Sequence, residues 1–250
     1  MKILFLDIET APNLAYIWGL YRQNVTIKQI VDSSYTLCFT AKWKGDERII
    51  QSSLATRSFR NMIREAHKLL DEADAVVGWN ISKFDLPTLN KEFLLNGLRP
   101  PSPYKTIDLL KVSRQRFRFP SHKLDYVAQA LNVGKKRNDD ISMDTWKECM
   151  KSKKSPEWEK MLAYNAQDVL LVEAIYYKLL PWLTNHLSYS AYHDSLVCPN
   201  CGSQQYQARG WYYTKSKRYK RLLCTVCGTW FRHSLENDCS PKSRGIVISP

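Results

Sequence analysis

The first 185 residues alternate between short apolar segments and longer segments in which apolar residues recur at helical spacing. Segments rich in β-branched and aromatic residues predict strands at 2–6, 35–43, 75–80 and 105–110. Segments with apolar residues three or four positions apart predict helices at 58–72, 86–98, 122–133 and 156–183. Strands that alternate with helices are typical of an α/β fold, in which helices cover the faces of one sheet.

The composition changes after about residue 190, where short polar and aromatic segments surround paired cysteines. Residues 190–250 contain nine Lys or Arg and three Asp or Glu, a net charge of +6 out of +13 for the whole chain. We therefore predict two domains, an α/β domain at 1–187 and a small basic module at 188–250.

The excess of positive charge indicates a polyanionic partner, because Lys and Arg release condensed counterions when they bind phosphates. Nucleic acid is favoured over a membrane surface, since the basic residues are interleaved with aromatic ones. No segment has the roughly 18 consecutive apolar residues of a membrane span, and acidic residues interrupt the N-terminus where a signal peptide would be apolar. We expect a cytoplasmic protein with no membrane partner, and the oligomeric state stays open.

Acidic residues stand at the ends of several predicted elements. Asp7 and Glu9 follow the first strand, and Asp85 precedes a helix. Asp168 lies in the longest helix, four residues after Tyr164 on the same helical face. Converging carboxylates repel one another unless a cation binds them, and hard oxygen ligands select Mg²⁺ or Mn²⁺.

Each of these residues also has a purely structural alternative. Asp7 and Glu9 could form a turn after the strand. Asp85 could cap the helix that follows it, and Tyr164 could be a core aromatic residue.

Three short motifs carry a resemblance to a known family. The chain contains D-I-E at 7–9, N-x-x-x-F-D at 80–85 and Y-x-x-x-D at 164–168, in that order. This set resembles the DEDD superfamily of 3′–5′ exonucleases, and the tyrosine is typical of its DEDDy branch. The segment 121–136 is similar to the proofreading exonuclease domain of family B DNA polymerases. The resemblance covers about residues 1–185 and implies a ribonuclease H-like mixed sheet flanked by helices.

The resemblance also implies a two-metal-ion hydrolysis of phosphodiester bonds, with two Mg²⁺ or Mn²⁺ ions about 3.5–4 Å apart. Asp7 would bridge both ions, Glu9 and Asp168 would complete the site on the nucleophile side, and Asp85 would hold the second ion. Tyr164 would orient the attacking water, because its ordinary pKa near 10 makes it a poor base. Asn80 and Phe84 would shape the substrate cleft.

Two C-x-x-C pairs, each followed by glycine, lie 22 residues apart in the basic module. Four thiolates at this spacing predict one structural Zn²⁺ in a zinc ribbon, with iron or a redox dithiol as the alternatives. The four predicted ligands are Cys198, Cys201, Cys224 and Cys227. Cys38, Cys149 and Cys239 show no such pattern and are expected to be plain core or surface thiols.

Aromatic and basic residues alternate between the two cysteine pairs, a composition that suits single-stranded nucleic acid. A β-hairpin whose aromatic residues cover a small core and whose charges are solvated is the alternative. The predicted substrate contacts in this insert are Trp211, Tyr212, Lys217 and Arg218. A second basic stretch could flank the cleft through Arg116, Arg118 and Lys123, and so could residues 135–137.

These features favour a metal-dependent enzyme that removes nucleotides from the 3′ end of single-stranded nucleic acid, with DNA preferred over RNA. A polymerase or another replication or repair protein is the expected protein partner, acting in trans. The alternatives are an RNA exonuclease with the same site, a structure-selective endonuclease, and a non-catalytic adaptor that binds nucleic acid through the zinc ribbon.

Overall fold

The computed structural model describes residues 1–136, 141–215 and 217–233, which form two compact units. One unit comprises Lys2–Tyr176, and the other begins at Tyr177 and includes Met1. The division into domains at residue 187 remains a prediction.

The first unit contains seven strands and most of the six α-helices among the described residues. The strands are β1 (Ile3–Thr10), β2 (Leu14–Ala15), β3 (Ile30–Asp32), β4 (Thr36–Trp43), β5 (Ile49–Ser53), β6 (Ala75–Gly78) and β7 (Lys105–Asp108). The helices are α1 (Phe59–Glu72), α2 (Asp85–Leu95), α3 (Leu109–Arg116), α4 (Leu124–Ala130), α5 (Met143–Lys151) and α6 (Glu157–Leu179).

Five of these strands form one mixed sheet in the order β5-β4-β1-β6-β7. Strand β1 is central, antiparallel to β4 and parallel to β6, and β6 is parallel to β7. Parallel neighbours need a crossover connection, which α2 supplies between β6 and β7. The predicted ribonuclease H-like mixed sheet with flanking helices is confirmed.

The central strand is buried on both faces of the sheet, which explains its continuous run of apolar residues. On one face Leu4 and Leu6 pack in a cluster with Met62 of α1. On the other face the ring of Phe5 meets that of Tyr176 of α6 edge-to-face at 5.3 Å. A strand held between helices on both sides is a rigid support for the side chains that it carries.

Several predicted boundaries differ from those of the structure. β1 continues to Thr10, so the first two acids lie inside the strand rather than after it. The strand predicted at 105–110 ends at Asp108, whose carboxylate caps α3 by accepting hydrogen bonds from the Leu110 and Lys111 amides. The short elements β5 and α5 were not predicted, because their apolar residues are too few to show a period.

The second unit contains a three-stranded antiparallel sheet in the order β10-β9-β8. Its strands are β8 (Tyr206–Tyr213), β9 (Arg218–Cys224) and β10 (Trp230–His233). Throughout the described part of the chain, every helix is too short or too polar to cross a lipid bilayer.

Candidate active site

Strand β1 carries Asp7 and Glu9 in its second half, at the centre of the five-stranded sheet. In the pairing with β4, Asp7 lies opposite Thr40 and Glu9 lies opposite Cys38. Residues two apart on a strand project to the same face, so the two carboxylates share one face of β1. Because the strand runs on through both acids, the alternative that they form a turn is wrong.

Asp85 lies at the beginning of α2 and is 2% exposed. Its Oδ1 accepts a hydrogen bond of 3.1 Å from the Ile8 amide, between the two acids of β1. The residue at the N-cap position is Phe84, and no side-chain cap is formed there. Asp85 therefore connects α2 to the acidic strand, and its interpretation as a helix cap alone is wrong.

The loop that leads to Asp85 is held by Asp108 at the end of β7. The Asp108 carboxylate accepts hydrogen bonds from the Asn80 amide at 3.2 Å, from the Ser82 amide at 3.2 Å and from the Ser82 hydroxyl at 2.5 Å. Asn80 has a φ of 65°, a left-handed conformation that asparagine tolerates better than most residues. Asp108 was predicted to be structural, and these contacts confirm that role.

Helix α6 brings three polar side chains to the acids of β1. Asn165 is fully buried, and its Nδ2 donates a hydrogen bond of 2.6 Å to Asp7 Oδ2. Asp168 is 4% exposed, and its Oδ1 is buried without a hydrogen-bond partner. Tyr164, one helical turn before Asp168, is half-buried. Asn165 was not predicted; its place beside Tyr164 and three residues before Asp168 is the only signal of it in the sequence.

Burial and mutual repulsion make these carboxylates difficult to ionise. Burial raises the pKa of Asp7 well above its ordinary value, and the charges of Asp85, Glu9 and Asp168 raise it further. Burial, followed by the charge of Asp168, raises the pKa of Glu9 to about 8. Burial also raises the pKa of Asp85 to about 7, although the Ile8 hydrogen bond opposes this shift. The four acids therefore form a cluster with a shortage of positive charge.

The Lys136 ammonium group supplies part of that charge. Its Nζ donates hydrogen bonds to Asp168 Oδ2 and, at 2.9 Å, to the Tyr164 hydroxyl, and it lies 4.8 Å from the centre of the Tyr164 ring. Burial lowers the pKa of Lys136, but the charge of Asp168 and the hydrogen bonds outweigh it, so the net shift is upward. The sequence indicated only that residues 135–137 could flank the cleft, and Arg137 lies outside the described residues.

The backbone of Lys136 is fixed by two neighbouring residues. Asp125 Oδ1 accepts a hydrogen bond of 2.8 Å from the Lys136 amide, so the expected structural role of Asp125 is confirmed. Gly134 has a φ of 138°, and a Cβ there would lie 2.9 Å from Leu171 Cδ2. The turn after α4 therefore requires glycine, and it directs Lys136 towards α6.

The donor set fits a divalent cation that prefers oxygen ligands. Asp168 offers a buried oxygen without a partner, and all four carboxylates gain from an added positive charge. Over the described residues, three or more His, Cys, Asp or Glu ligand atoms come within 4.8 Å of one another only in the cysteine cluster. No three of the four carboxylates therefore lie within 4.8 Å of one another.

Comparison with known proteins agrees with this fold. The family model described as RNase_H superfamily matches residues 4–180. The chain belongs to the RNase H superfamily. The family B DNA polymerase from the hyperthermophilic archaeon Pyrobaculum calidifontis has a similar structure, with a TM-score of 0.55 and 19% sequence identity. That match covers 72% of this chain and 25% of the polymerase chain, so the likeness is one of fold. No curated protein sequence matches the chain.

The residues predicted to contact substrate lie at several places on the RNase H domain. Phe84 directly precedes Asp85 and is 44% exposed, next to the acidic cluster in sequence. Arg116 ends α3, Arg118 follows it, and Lys123 precedes α4; all three are exposed. Their contact with substrate stays a prediction.

The second unit brings the four predicted zinc ligands together. The Sγ atoms of Cys198 and Cys227 are 3.6 Å apart, as are those of Cys201 and Cys224, and all four lie within 4.8 Å of one another. Thiolates around a tetrahedral Zn²⁺ with bonds of about 2.3 Å are separated by roughly 3.8 Å, so the cluster fits this ion.

Each cysteine pair ends in a left-handed glycine, as predicted. Gly202 and Gly228 have φ values of 78° and 79°. Their amides donate hydrogen bonds to the carbonyls of Cys198 at 2.8 Å and Cys224 at 3.0 Å, which closes each knuckle. Of the other cysteines, Cys38 and Cys149 are buried in one apolar cluster, and Cys239 lies outside the described residues.

The predicted substrate residues of the insert do not share one surface. Trp211 and Tyr212 are neighbours on β8 and therefore project to opposite faces of the sheet. The guanidinium of Arg218 lies 4.4 Å from the centre of the Trp211 ring, on the same face as that tryptophan. Lys217 is exposed in the turn between β8 and β9.

Proposed function

We propose that the chain is a metal-dependent 3′–5′ exonuclease of the DEDDy type that hydrolyses phosphodiester bonds at the 3′ end of single-stranded DNA. The observation that carries this proposal is that Asp7 and Glu9 of β1, Asp85 of α2 and Asp168 of α6 are buried close enough for their charges to raise one another's pKa, and that Asp168 keeps a buried oxygen without a hydrogen-bond partner. Two Mg²⁺ or Mn²⁺ ions bound there would supply Lewis acidity to a water molecule and to the leaving 3′-oxygen.

The residues of the chain have distinct tasks in this reaction. The rigid β1 strand fixes Asp7 and Glu9, and the hydrogen bond from Asn165 holds the Asp7 carboxylate in one orientation. The hydrogen bond between the Ile8 amide and Asp85 keeps α2 beside the strand. The ligands are thereby positioned before any substrate arrives.

Tyr164 acts as a hydrogen-bond donor rather than as a base. Burial raises the pKa of its hydroxyl, although the Lys136 hydrogen bond opposes this, so the phenol keeps its proton at neutral pH. Because Lys136 Nζ already donates to the Tyr164 oxygen, the phenol proton is directed to another acceptor. We assign that acceptor to the attacking water or to a phosphate oxygen of the substrate.

Nucleic acid as the substrate is supported by the net charge of +13 and by the aromatic and basic residues of the second unit. The four carboxylates would act at the phosphate and do not distinguish the two sugars, so an RNA exonuclease is the second candidate. A polymerase or another replication or repair protein that presents frayed 3′ ends would be a suitable partner in trans.

The proposal is tested with full-length protein and single-stranded DNA and RNA labelled at the 3′ or the 5′ end. We expect stepwise shortening from the 3′ end with Mg²⁺ or Mn²⁺, faster on DNA, and no reaction after these ions are removed. Asp7→Asn and Asp168→Asn should each lower the rate more than about 100-fold, since even residues that only orient a metal ligand cost about 10- to 100-fold.

The matched control is Asp144→Asn, which makes the same chemical change on an exposed residue of α5 and should leave the rate unchanged. Internal cleavage of a circular single strand would contradict the exonuclease assignment. Faster degradation of RNA than of DNA would identify RNA as the substrate. Binding without degradation under every metal would contradict the enzyme and leave the non-catalytic adaptor as the function.

A further inference from the structure

The strand register of the second unit sorts its side chains onto two faces of the three-stranded sheet. Tyr212 of β8 lies opposite Tyr219 of β9, and Arg221 of β9 lies opposite Arg232 of β10. Trp230 lies opposite Leu223, two residues further along β9 on the same face. We call the surface formed by Tyr212, Tyr219, Arg221, Trp230 and Arg232 the arginine–aromatic face.

The opposite face contains the small core of this unit. Leu222 and Cys224 are 2% and 1% exposed there, and the rings of Tyr206 and Phe231 meet edge-to-face at 5.8 Å. The arginine–aromatic face is thus not needed to cover the core. Trp230 is nevertheless 53% exposed and Tyr212 is 44% exposed. Large aromatic side chains exposed on the side away from a core indicate a binding surface.

Each arginine of this face lies over an aromatic ring. The guanidinium carbon of Arg232 is 4.3 Å from the centre of the Tyr212 ring and 5.7 Å from that of Tyr219. The guanidinium of Arg221 is 5.3 Å from the centre of the Trp230 ring. Such cation–π contacts hold flexible arginine side chains over the sheet, so less conformational entropy is lost when a ligand binds.

A bulge in β8 fixes one of these arginines. The register between β8 and β9 shifts between Ala208 and Trp211, where Gly210 has a φ of 77°. The bulge presents the Arg209 carbonyl, which accepts a hydrogen bond of 2.8 Å from Arg221 Nε. The position of Arg221 is therefore set by the backbone as well as by Trp230.

The charge around this face has one sign. Residues 195–233 contain seven Lys or Arg residues and no Asp or Glu. The seven are Arg209, Lys215, Lys217, Arg218, Lys220, Arg221 and Arg232. No acidic side chain of this segment can neutralise them, so the face is complementary to a polyanion.

We propose that the arginine–aromatic face binds unpaired bases of single-stranded nucleic acid by stacking them on the tyrosine and tryptophan rings and on the planar guanidinium groups. Every base has an aromatic face, so this contact is independent of sequence, and the cations lie close to the phosphates that connect the bases. The bases of a duplex are stacked on one another and cannot reach the rings. The site therefore selects unpaired strands.

This inference relies on the proposed function only for the class of ligand, because binding at the face requires no hydrolysis. It also separates residues that the sequence grouped together. Tyr212 belongs to the proposed site, whereas Trp211 and Arg218 lie on the opposite face.

The experiment measures fluorescence anisotropy of a labelled thymidine strand of about 12 nucleotides, within the range of sites that such proteins cover. The full-length Asp7→Asn variant is used so that the strand is not degraded. An abasic strand of equal length and a duplex serve as comparison ligands. We expect the thymidine strand to bind more tightly than either of them.

Two pairs of charge-matched substitutions then compare the two faces. Arg221→Gln with Arg232→Gln should weaken binding of the thymidine strand about tenfold, the effect of losing about one stacked base. Arg218→Gln with Lys220→Gln removes the same charge from the opposite face and should weaken it less than about threefold. Trp230→Ala with Tyr212→Ala should weaken thymidine binding about tenfold and leave abasic binding unchanged.

Zinc content and thermal unfolding of each variant show whether the second unit stays folded. Equal losses from the two charge pairs would reduce the interaction to diffuse electrostatics and overturn the proposal. Equal affinity of the wild-type protein for the thymidine and abasic strands would also overturn it. So would an aromatic variant that loses no more affinity for the thymidine strand than for the abasic strand. A wild-type protein that binds the thymidine strand but degrades no strand with any metal would refute the proposed function and leave the binding site intact.

Discussion

The two proposed cation sites of this chain are built in opposite ways. The acidic cluster draws its carboxylates from residues 7 to 168, and a core formed by a five-stranded sheet and its helices holds them in place. The cysteine cluster draws its thiols from residues 198 to 227, where little apolar surface is buried. In the first case the fold assembles the ligands; in the second the ion would assemble the fold.

The chemistry of the ligands follows the same division. Carboxylates that repel one another leave room for hard cations that also bind water and substrate. Four thiolates close the coordination sphere of Zn²⁺ and leave no position for a substrate. With cations bound, reactivity would belong to the acidic cluster and stability to the cysteine cluster.

The largest effect is expected from Cys224→Ser. Structural Zn²⁺ contributes about 10–16 kcal/mol to the folding of small zinc modules, so loss of one thiolate should release the ion and unfold residues 198–233. Limited proteolysis should then cut this region and spare residues 2–176, while zinc content falls to near zero. Cys149→Ser, a buried cysteine outside the cluster, should keep its zinc. Retained protease resistance in Cys224→Ser would show that the module folds without metal.

A smaller effect is expected from Lys136→Met. The substitution removes the ammonium that pairs with Asp168, whose side chain is 6% exposed. An unpaired buried charge costs about 3–5 kcal/mol, so the protein should be destabilised in buffer without Mg²⁺ or Mn²⁺ and should recover much of that loss when Mn²⁺ is added. Chemical denaturation with and without Mn²⁺ measures both quantities. Lys135→Met, at an exposed neighbour, is the control, and equal destabilisation by both variants would refute the role of Lys136.

The smallest effect is a gain of stability in Asp7→Asn. Burial and nearby carboxylates raise the pKa of Asp7 in the folded state, so the folded protein binds more protons than the unfolded chain and loses stability as pH rises. Without Mg²⁺ or Mn²⁺ the variant should unfold about 2–4 °C higher than the wild type at pH 8, and the difference should vanish near pH 4. The introduced amide oxygen can still accept the hydrogen bond from Asn165.

The same pH series tests whether ionisation of the whole acidic cluster lowers the stability of the protein. Because the pKa of Glu9 is raised to about 8 and that of Asp85 to about 7, wild-type stability should fall as pH rises towards 8. Added Mg²⁺ should reverse this fall in the wild type and have little effect in Asp7→Asn. Stability that rises over this range would mean that the carboxylates do not repel one another.

The predictable parts of the molecule are those with a strong local signal. Apolar periodicity predicted the long helices, and the spacing of the cysteines predicted their cluster, because each depends on residues close in sequence. The motif order indicated the RNase H fold, which places Asp85 beside the acidic strand. The contact of Lys136 with the acidic cluster could not be predicted from the sequence. It depends on Gly134, on Asp125 and on the packing of α6, and none of these leaves a periodic pattern in the sequence.

The residues on each face of the three-stranded sheet could not be assigned from the sequence, for a different reason. The bulge at Gly210 reverses which residues of β8 share a face with those of β9, and a bulge leaves only a weak trace in composition. The sequence alone therefore did not show which of Trp211 and Tyr212 shares a face with Arg221.

The position of Cys38 gives the acidic strand its own reporter. This thiol is fully buried, opposite Glu9 on β4 and in one cluster with Trp158 and Met161 of α6, so an alkylating reagent can reach it only when this part of the protein opens. The rate of its modification in the native state then measures the free energy of that local opening. A cation that ties Glu9 to Asp168 would slow the reaction of a cysteine that it never touches.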